Sequence, residues 1–207
     1  MTSTVRFTEE MLGHVTFGET DFARGAQPQR DGSTAFKFHL TIEVTDIDRF
    51  QQDPLRPAVA TGWVQCEALG GKLPVVQGWF NLFVDVEPGV KHMLYRLWFY
   101  DSVGHPLTMT GFKLVSNDAG FDVWKDTTTL FTRVLRGHVH EGDPEEPIAS
   151  GTIIIRARDF AKQLTTFRST SPSPAQGVKA LVQFGVVFTK QLAEAYLRRR
   201  PRPHVVA

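Results

Sequence analysis

The clearest pattern in the chain is strict alternation from Thr34 to Val44, where Phe36, Phe38, Leu40, Ile42 and Val44 take turns with Lys37, His39, Thr41 and Glu43. A period of two is that of a β-strand with one dry and one wet face. The strand runs into Thr45-Asp46-Ile47-Asp48-Arg49-Phe50, where Thr45 or Asp46 suits the N-cap of a short helix near 46–52 that stops before Pro54. Further strands are predicted at about 13–19, 60–69, 75–86, 92–101, 107–116, 128–138 and 148–157. Each is rich in β-branched or aromatic residues and bounded by turn formers. Connections such as Glu87-Pro88-Gly89 and Ser116-Asn117-Asp118-Ala119-Gly120 are too short for parallel crossovers, so the middle of the chain reads as an antiparallel meander.

The hydrophobic period then lengthens. Phe160, Leu164 and Phe167 share a helical face within 158–167. After the helix-breaking Ser171-Pro172-Ser173-Pro174, residues 175–200 repeat the signal with Val178, Leu181, Val182, Phe184, Phe188, Leu192 and Tyr196. The expectation is a mainly β single domain spanning 1–207. Strands fill about 10–157 and form a lipocalin-like barrel or a β-sandwich, and two C-terminal helices at about 158–200 pack on it. A similar strand-then-helix pattern at 40–50 and 151–160 hints at duplication, and the Ser/Pro stretch at 169–174 reads as a loop.

Several central strands lack a wet face. Phe80, Leu82 and Val84 alternate with Trp79, Asn81 and Phe83, and Tyr95, Leu97 and Phe99 alternate with Leu94, Arg96 and Trp98. Both faces must therefore be covered at least in part. Polar groups set among aromatics are costly to bury unless paired, so Asn81, Arg96, Lys113, Asp126 and Arg133 mark either a satisfied internal network or one polar patch in a ligand pocket. In the pocket reading Asp126 and Lys113 are the candidate catalytic groups. Asn81, Tyr95, Arg96, Trp98, Trp124, Thr127, Thr129 and Arg133 then line the ligand site. The structural alternatives are that Arg96 pairs with Asp126 or stacks on Trp98, that Lys113 snorkels from a strand end, and that Asp126 anchors a turn.

Composition narrows the chemistry. Hydrophobic residues make up 42% and aromatics 11%, with 16 Phe and 4 Trp, as expected of a chain with a real core. Lys and Arg number 23 against 22 Asp and Glu, so the net charge of +1 supplies no field for nucleic acid. The Arg-rich tail at 198–207 reads as a solvated terminus. No stretch has the roughly 20 apolar residues of a membrane span, which predicts no stable membrane insertion. The N-terminus lacks a signal-peptide core, and the single Cys66 sits on a strand as a small core residue; cytoplasmic localisation is expected. His138 and His140 have the i, i+2 spacing of a strand ligand pair, but they adjoin an acidic turn and read as a rim, so no metal is expected. Elbow, phosphate-loop, dinucleotide and zinc-protease motifs are missing.

The runs Phe80-Asn81-Leu82-Phe83, Tyr95-Arg96, Gly111-Phe112-Lys113 and Trp124-Lys125-Asp126-Thr127-Thr128-Thr129-Leu130, with Phe7-Thr8-Glu9-Glu10-Met11 and Asp159-Phe160, carry a family resemblance. The chain resembles the accessory, non-flavin domain of actinobacterial cholesterol-oxidase-like GMC oxidoreductase proteins. That resemblance implies work near enzymes of sterols or other apolar metabolites, either in trans beside an oxidoreductase partner or in its own handling of an apolar ligand, with no FAD or other cofactor of its own. It assigns no catalytic residue. Three functions follow as expectations: binding of a lipid-, sterol- or polycyclic-like molecule in a barrel cavity, cofactor-independent isomerisation or cyclisation of such a molecule, or a noncatalytic scaffold. Oligomeric state stays open.

Overall fold

A computed structural model describes residues 2–116 and 127–197. The strands are β1 (Thr4–Phe17), β2 (Ser33–Val44), β3 (Pro57–Cys66), β4 (Gly71–Pro74), β5 (Gln77–Glu87), β6 (Val90–Tyr100), β7 (Pro106–Ser116), β8 (Thr129–Arg136), β9 (Pro147–Ile154) and β10 (Arg168–Thr170). Four α-helices lie among the described residues: α1 (Phe22–Gly25), α2 (Ile47–Gln52), α3 (Ala157–Leu164) and α4 (Pro174–Leu197).

Neighbours pair antiparallel in the order β1-β2-β3-β5-β6-β7-β8-β9, and β9 pairs back onto β1, which closes an eight-stranded barrel. Barrel, not sandwich, is thus the architecture. Closure needs tight approach at the seam. A Cβ on Gly151 would lie 2.0 Å from the His14 carbonyl oxygen, so only glycine lets β9 lie this close to β1. β4 pairs the far half of β3, and β10 pairs the first residues of β1.

An eight-stranded barrel encloses little more than its own side chains. Here Met11, Phe36, Phe38, Leu40, Leu97, Phe99, Met109 and Val134 fill most of the lumen without exposure. One end is different. At the Asn81/Val84 register shift β5 bulges, and Phe83 adopts a left-handed φ of 52°. Leu82 and Phe83, consecutive residues, both turn inward as a result. The Arg56 guanidinium donates to the Phe83 carbonyl at 2.8 Å and holds the bulge.

Helix α4 closes this end. Its Phe184 packs on Phe7 and Phe50 and its Phe188 on Phe83, while Gln191 accepts from buried Lys91 at 2.8 Å. Asp46 caps α2 as expected, accepting from the Asp48 and Arg49 amides. Some expectations need correction. β1 begins at Thr4 rather than near 13, and the first two residues of the expected 169–174 loop pair, with Arg168 before them, as β10. α3 ends at Leu164, so Phe167 lies past it, stacked on Phe7 at 4.9 Å, while Leu164 is largely exposed. No helix among the described residues is long and apolar enough to cross a membrane.

Candidate functional site

Strand register separates the polar residues onto two faces. Trp79, Arg96, Thr110 and Arg133 pair in one row across β5, β6, β7 and β8, and Phe80, Tyr95, Gly111 and Thr132 form the adjacent row. Successive side chains point to opposite faces. The second row belongs to the interior, with Phe80 and Tyr95 buried, and the first therefore lies outside. A single patch uniting Arg96, Arg133 and Lys113 is overturned: Lys113 pairs in register with interior Met93 and points inward, away from the arginines.

Inside, Lys113 is only 2% exposed and its ammonium pairs with Glu9 of β1. It does not snorkel. The second Glu9 oxygen accepts the Tyr95 hydroxyl at 2.8 Å, and the Lys113 ammonium sits 5.3 Å from the Tyr95 ring. β1 has no pairing with β6 or β7, so these bonds cross the lumen. Burial, together with the Glu9 charge and hydrogen bond, pushes the Tyr95 phenol well above its ordinary value, which keeps it a donor.

Above this triad lies a cavity of about 330 Å³ beneath α4. Its walls include Phe7, Phe80, Leu82, Met93, Ile155, Phe167, Leu181, Phe184 and Phe188. The polar groups at its boundary are Glu9, Lys113, Thr127, Gln163 and Thr189. Gln163 Oε1 is buried with no hydrogen-bond partner among the described residues. Such an acceptor is costly to leave unpaired. Gly185 and Leu164 border the cavity from the exposed side of the helices.

Outside, a groove of about 510 Å³ runs over β5 to β8, lined by Phe22, Trp79, Asn81, Leu94, Arg96, Thr110, Phe112, Phe131 and Arg133 and by His140, Glu141 and Glu145 of the following loop. Arg96 donates to the Val139 carbonyl at 2.9 Å and approaches Glu145 at 3.6 Å. Its predicted partner Asp126 and the predicted ring Trp124 lie outside the described residues. Trp98 donates to the same carbonyl at 3.1 Å and stands edge to face against Trp79. His138 stacks on Trp98 and His140 meets its edge, so both histidines pack against aromatic surface. Asn81 donates to the Leu55 carbonyl at 3.0 Å. Thr129 faces outward but lines neither concavity.

The groove's Phe22 wall depends on the loop before α1. Glu19 accepts the Thr20 and Asp21 amides and pairs with Arg24 and Arg30, and the Asp21 amide above all holds its carboxyl below the ordinary value. Gly25 then rests on the Ser150 carbonyl oxygen, where a Cβ would stand 2.0 Å away.

Cys66 is a buried core thiol whose pKa burial raises, as a structural residue requires. Among the described residues no group of three or more His, Cys, Asp or Glu side chains has metal-site geometry. Glu9 is the site residue that sequence reasoning missed. Its signal was present: Val5, Phe7, Glu9 and Met11 alternate with Arg6, Thr8, Glu10 and Leu12, which places a carboxylate in the apolar phase of a strand. The chain matches no family model, no curated protein and no solved structure.

Proposed function

We propose that the chain binds a compact apolar molecule carrying one hydroxyl or similar donor in the cavity beneath α4. The observation that carries this reading is an aromatic and aliphatic chamber whose polar lining, among the described residues, is the Glu9-Lys113 pair and a few boundary residues, Gln163 with its unpaired oxygen among them. Apolar walls with a few fixed polar groups are the usual composition of small-molecule sites. About 330 Å³ is near the lower end of such sites, which favours a mono- or bicyclic body over a long lipid chain.

In this reading the apolar body displaces water from the phenylalanine walls, and the ligand's donor reaches Gln163. The triad orients rather than reacts. An ammonium already committed to Glu9 is a poor nucleophile, so a Schiff-base role for Lys113 is disfavoured. Turnover by proton transfer is the second reading, because Glu9 borders the cavity and is held by a phenol donor. The resemblance to oxidoreductase accessory domains supports a role beside an enzyme of apolar metabolites, acting in trans.

Gly185 offers a clean test. It lines the cavity, and a Cβ there meets no atom within 4 Å. Gly185→Phe therefore fills the entrance from a helix without disturbing the core. Calorimetric titration with the bicyclic alcohol borneol should show saturable binding to the wild type and at least a tenfold loss in Gly185→Phe, with an unchanged melting profile. Equal binding by both proteins would remove the cavity from the reading. Product formed from bound alcohol or its ketone, followed by gas chromatography, would replace simple binding with catalysis.

A further inference from the structure

The outer groove holds two arginines that nothing inside it fully satisfies. Arg96 on β6 and Arg133 on β8 sit in one register row with the smaller Thr110 between them on β7. Two strand spacings separate their backbones by about 10 Å. Both guanidiniums turn toward one point, occupied by the Glu145 carboxylate at 3.6 Å from Arg96 and 3.7 Å from Arg133. Charge-assisted N–H···O bonds run at about 2.7–2.9 Å, so Glu145 balances the charges without bonding to them. It is half-exposed and comes from a loop rather than a strand. Arg133 Nε is buried with no hydrogen-bond partner among the described residues.

The floor beside this point is aromatic. Phe112 and Phe131 stack with centroids 5.1 Å apart, Phe22 stands edge-on to both, and the Arg133 guanidinium lies 4.8 Å from the Phe22 ring. Glu141 and His140 border the groove further out along the loop.

We propose that the groove is a second ligand site, separate from the lumen, for a planar aromatic carboxylate. The acid group takes the place of Glu145 between Arg96 and Arg133, and the ring lies over Phe112 and Phe131. A free carboxylate can approach to bonding distance and supply the acceptor that Arg133 Nε lacks, whereas Glu145 is held off by its own loop. Two convergent guanidiniums select a planar anion, and a phenylalanine floor selects an aromatic one. Glu145 is then a built-in competitor that fills the anion position when no ligand is bound.

The test is titration with 2-naphthoate, with 2-naphthylmethanol as the uncharged control, followed through the tryptophan indole N–H signals of the isotope-labelled protein. Trp79 lines the groove and Trp98 packs edge to face on Trp79, whereas Trp63 stacks on His39 elsewhere on the barrel surface. Naphthoate should shift Trp79 and Trp98 saturably and leave Trp63 still, and the alcohol should bind at least tenfold more weakly. Glu145→Gln should tighten naphthoate severalfold, Arg133→Gln should weaken it at least tenfold, and Gly185→Phe, which blocks the lumen, should leave it unchanged. If Arg133→Gln folds poorly, the wild-type shifts and Glu145→Gln decide. The proposal is overturned by naphthoate and its alcohol binding alike, by Glu145→Gln binding no more tightly than wild type, or by Gly185→Phe abolishing the shifts. The last result would assign the compound to the lumen.

Discussion

The same four strands, β5 to β8, carry charge on both of their faces and handle it in opposite ways. Inside, Lys113 meets Glu9 across the lumen in near-complete burial, and Tyr95 satisfies the other oxygen. Outside, Arg96 and Arg133 share one carboxylate at distances beyond hydrogen bonding. A buried pair must be complete, because either partner left alone has no water to fall back on. A groove pair can stay loose, since solvent makes up the difference and a ligand can later take its place. Completeness marks the structural charge here, and incompleteness marks the exchangeable one.

Lys113→Met breaks the inner pair and should cost about 3–5 kcal/mol, because it strands a buried carboxylate. Chemical denaturation reads this directly. The double variant Glu9→Gln with Lys113→Met should recover much of the loss, and a single-variant cost under about 1 kcal/mol would mean that water reaches the pair. The outer counterpart, Arg96→Met, should cost about 1 kcal/mol or less in the same measurement, the usual worth of partly exposed pairs. A cost as large as that of Lys113→Met would erase the distinction between the faces.

The smallest effect concerns pH. His92 stacks on Phe112 at 4.8 Å, and burial lowers its pKa while Glu87 partly opposes the shift. Below its ordinary value the unfolded chain takes up a proton that the folded protein resists, so the unfolded state binds more protons and stability falls as pH is lowered. The thermal midpoint of the wild type should therefore decline from pH 7.5 to 5.5 more steeply than that of His92→Phe. Parallel profiles would show that His92 is free to protonate in the fold.

Much of the fold was legible because it rests on local pattern. Alternation from Phe36 to Val44 marks β2, and Asp46 marks the start of α2 through its cap. The faces of β5 to β8 were not legible, since aromatics occupy both of them. Alternation shows that Arg96 and Lys113 are out of phase with respect to the paired strands only once register is known, and register is a property of the closed sheet. The reading of one shared patch failed for that reason. Lys113's partner was hidden by distance: Glu9 sits over a hundred positions upstream in a stretch that reads as a polar N-terminus unless its period is counted. Glu145 was overlooked as one acid within an acidic turn, and its part in the groove depends on how residues 138–146 fold back over Trp98.

Barrel closure through β1 and β9 also governs how the chain reaches its native state. Leu12 lies opposite Ile154, so the first strand finds one of its two neighbours only after most of the chain is in place. Pairings so distant in sequence carry a high loop-closure cost and slow folding. On the ribosome, the growing meander would expose two unpaired edges until β9 emerges, and unpaired edges invite association with other chains. Once the seam at Gly151 zips, no strand of the ring can leave without opening it, and the ring should then melt as one cooperative unit.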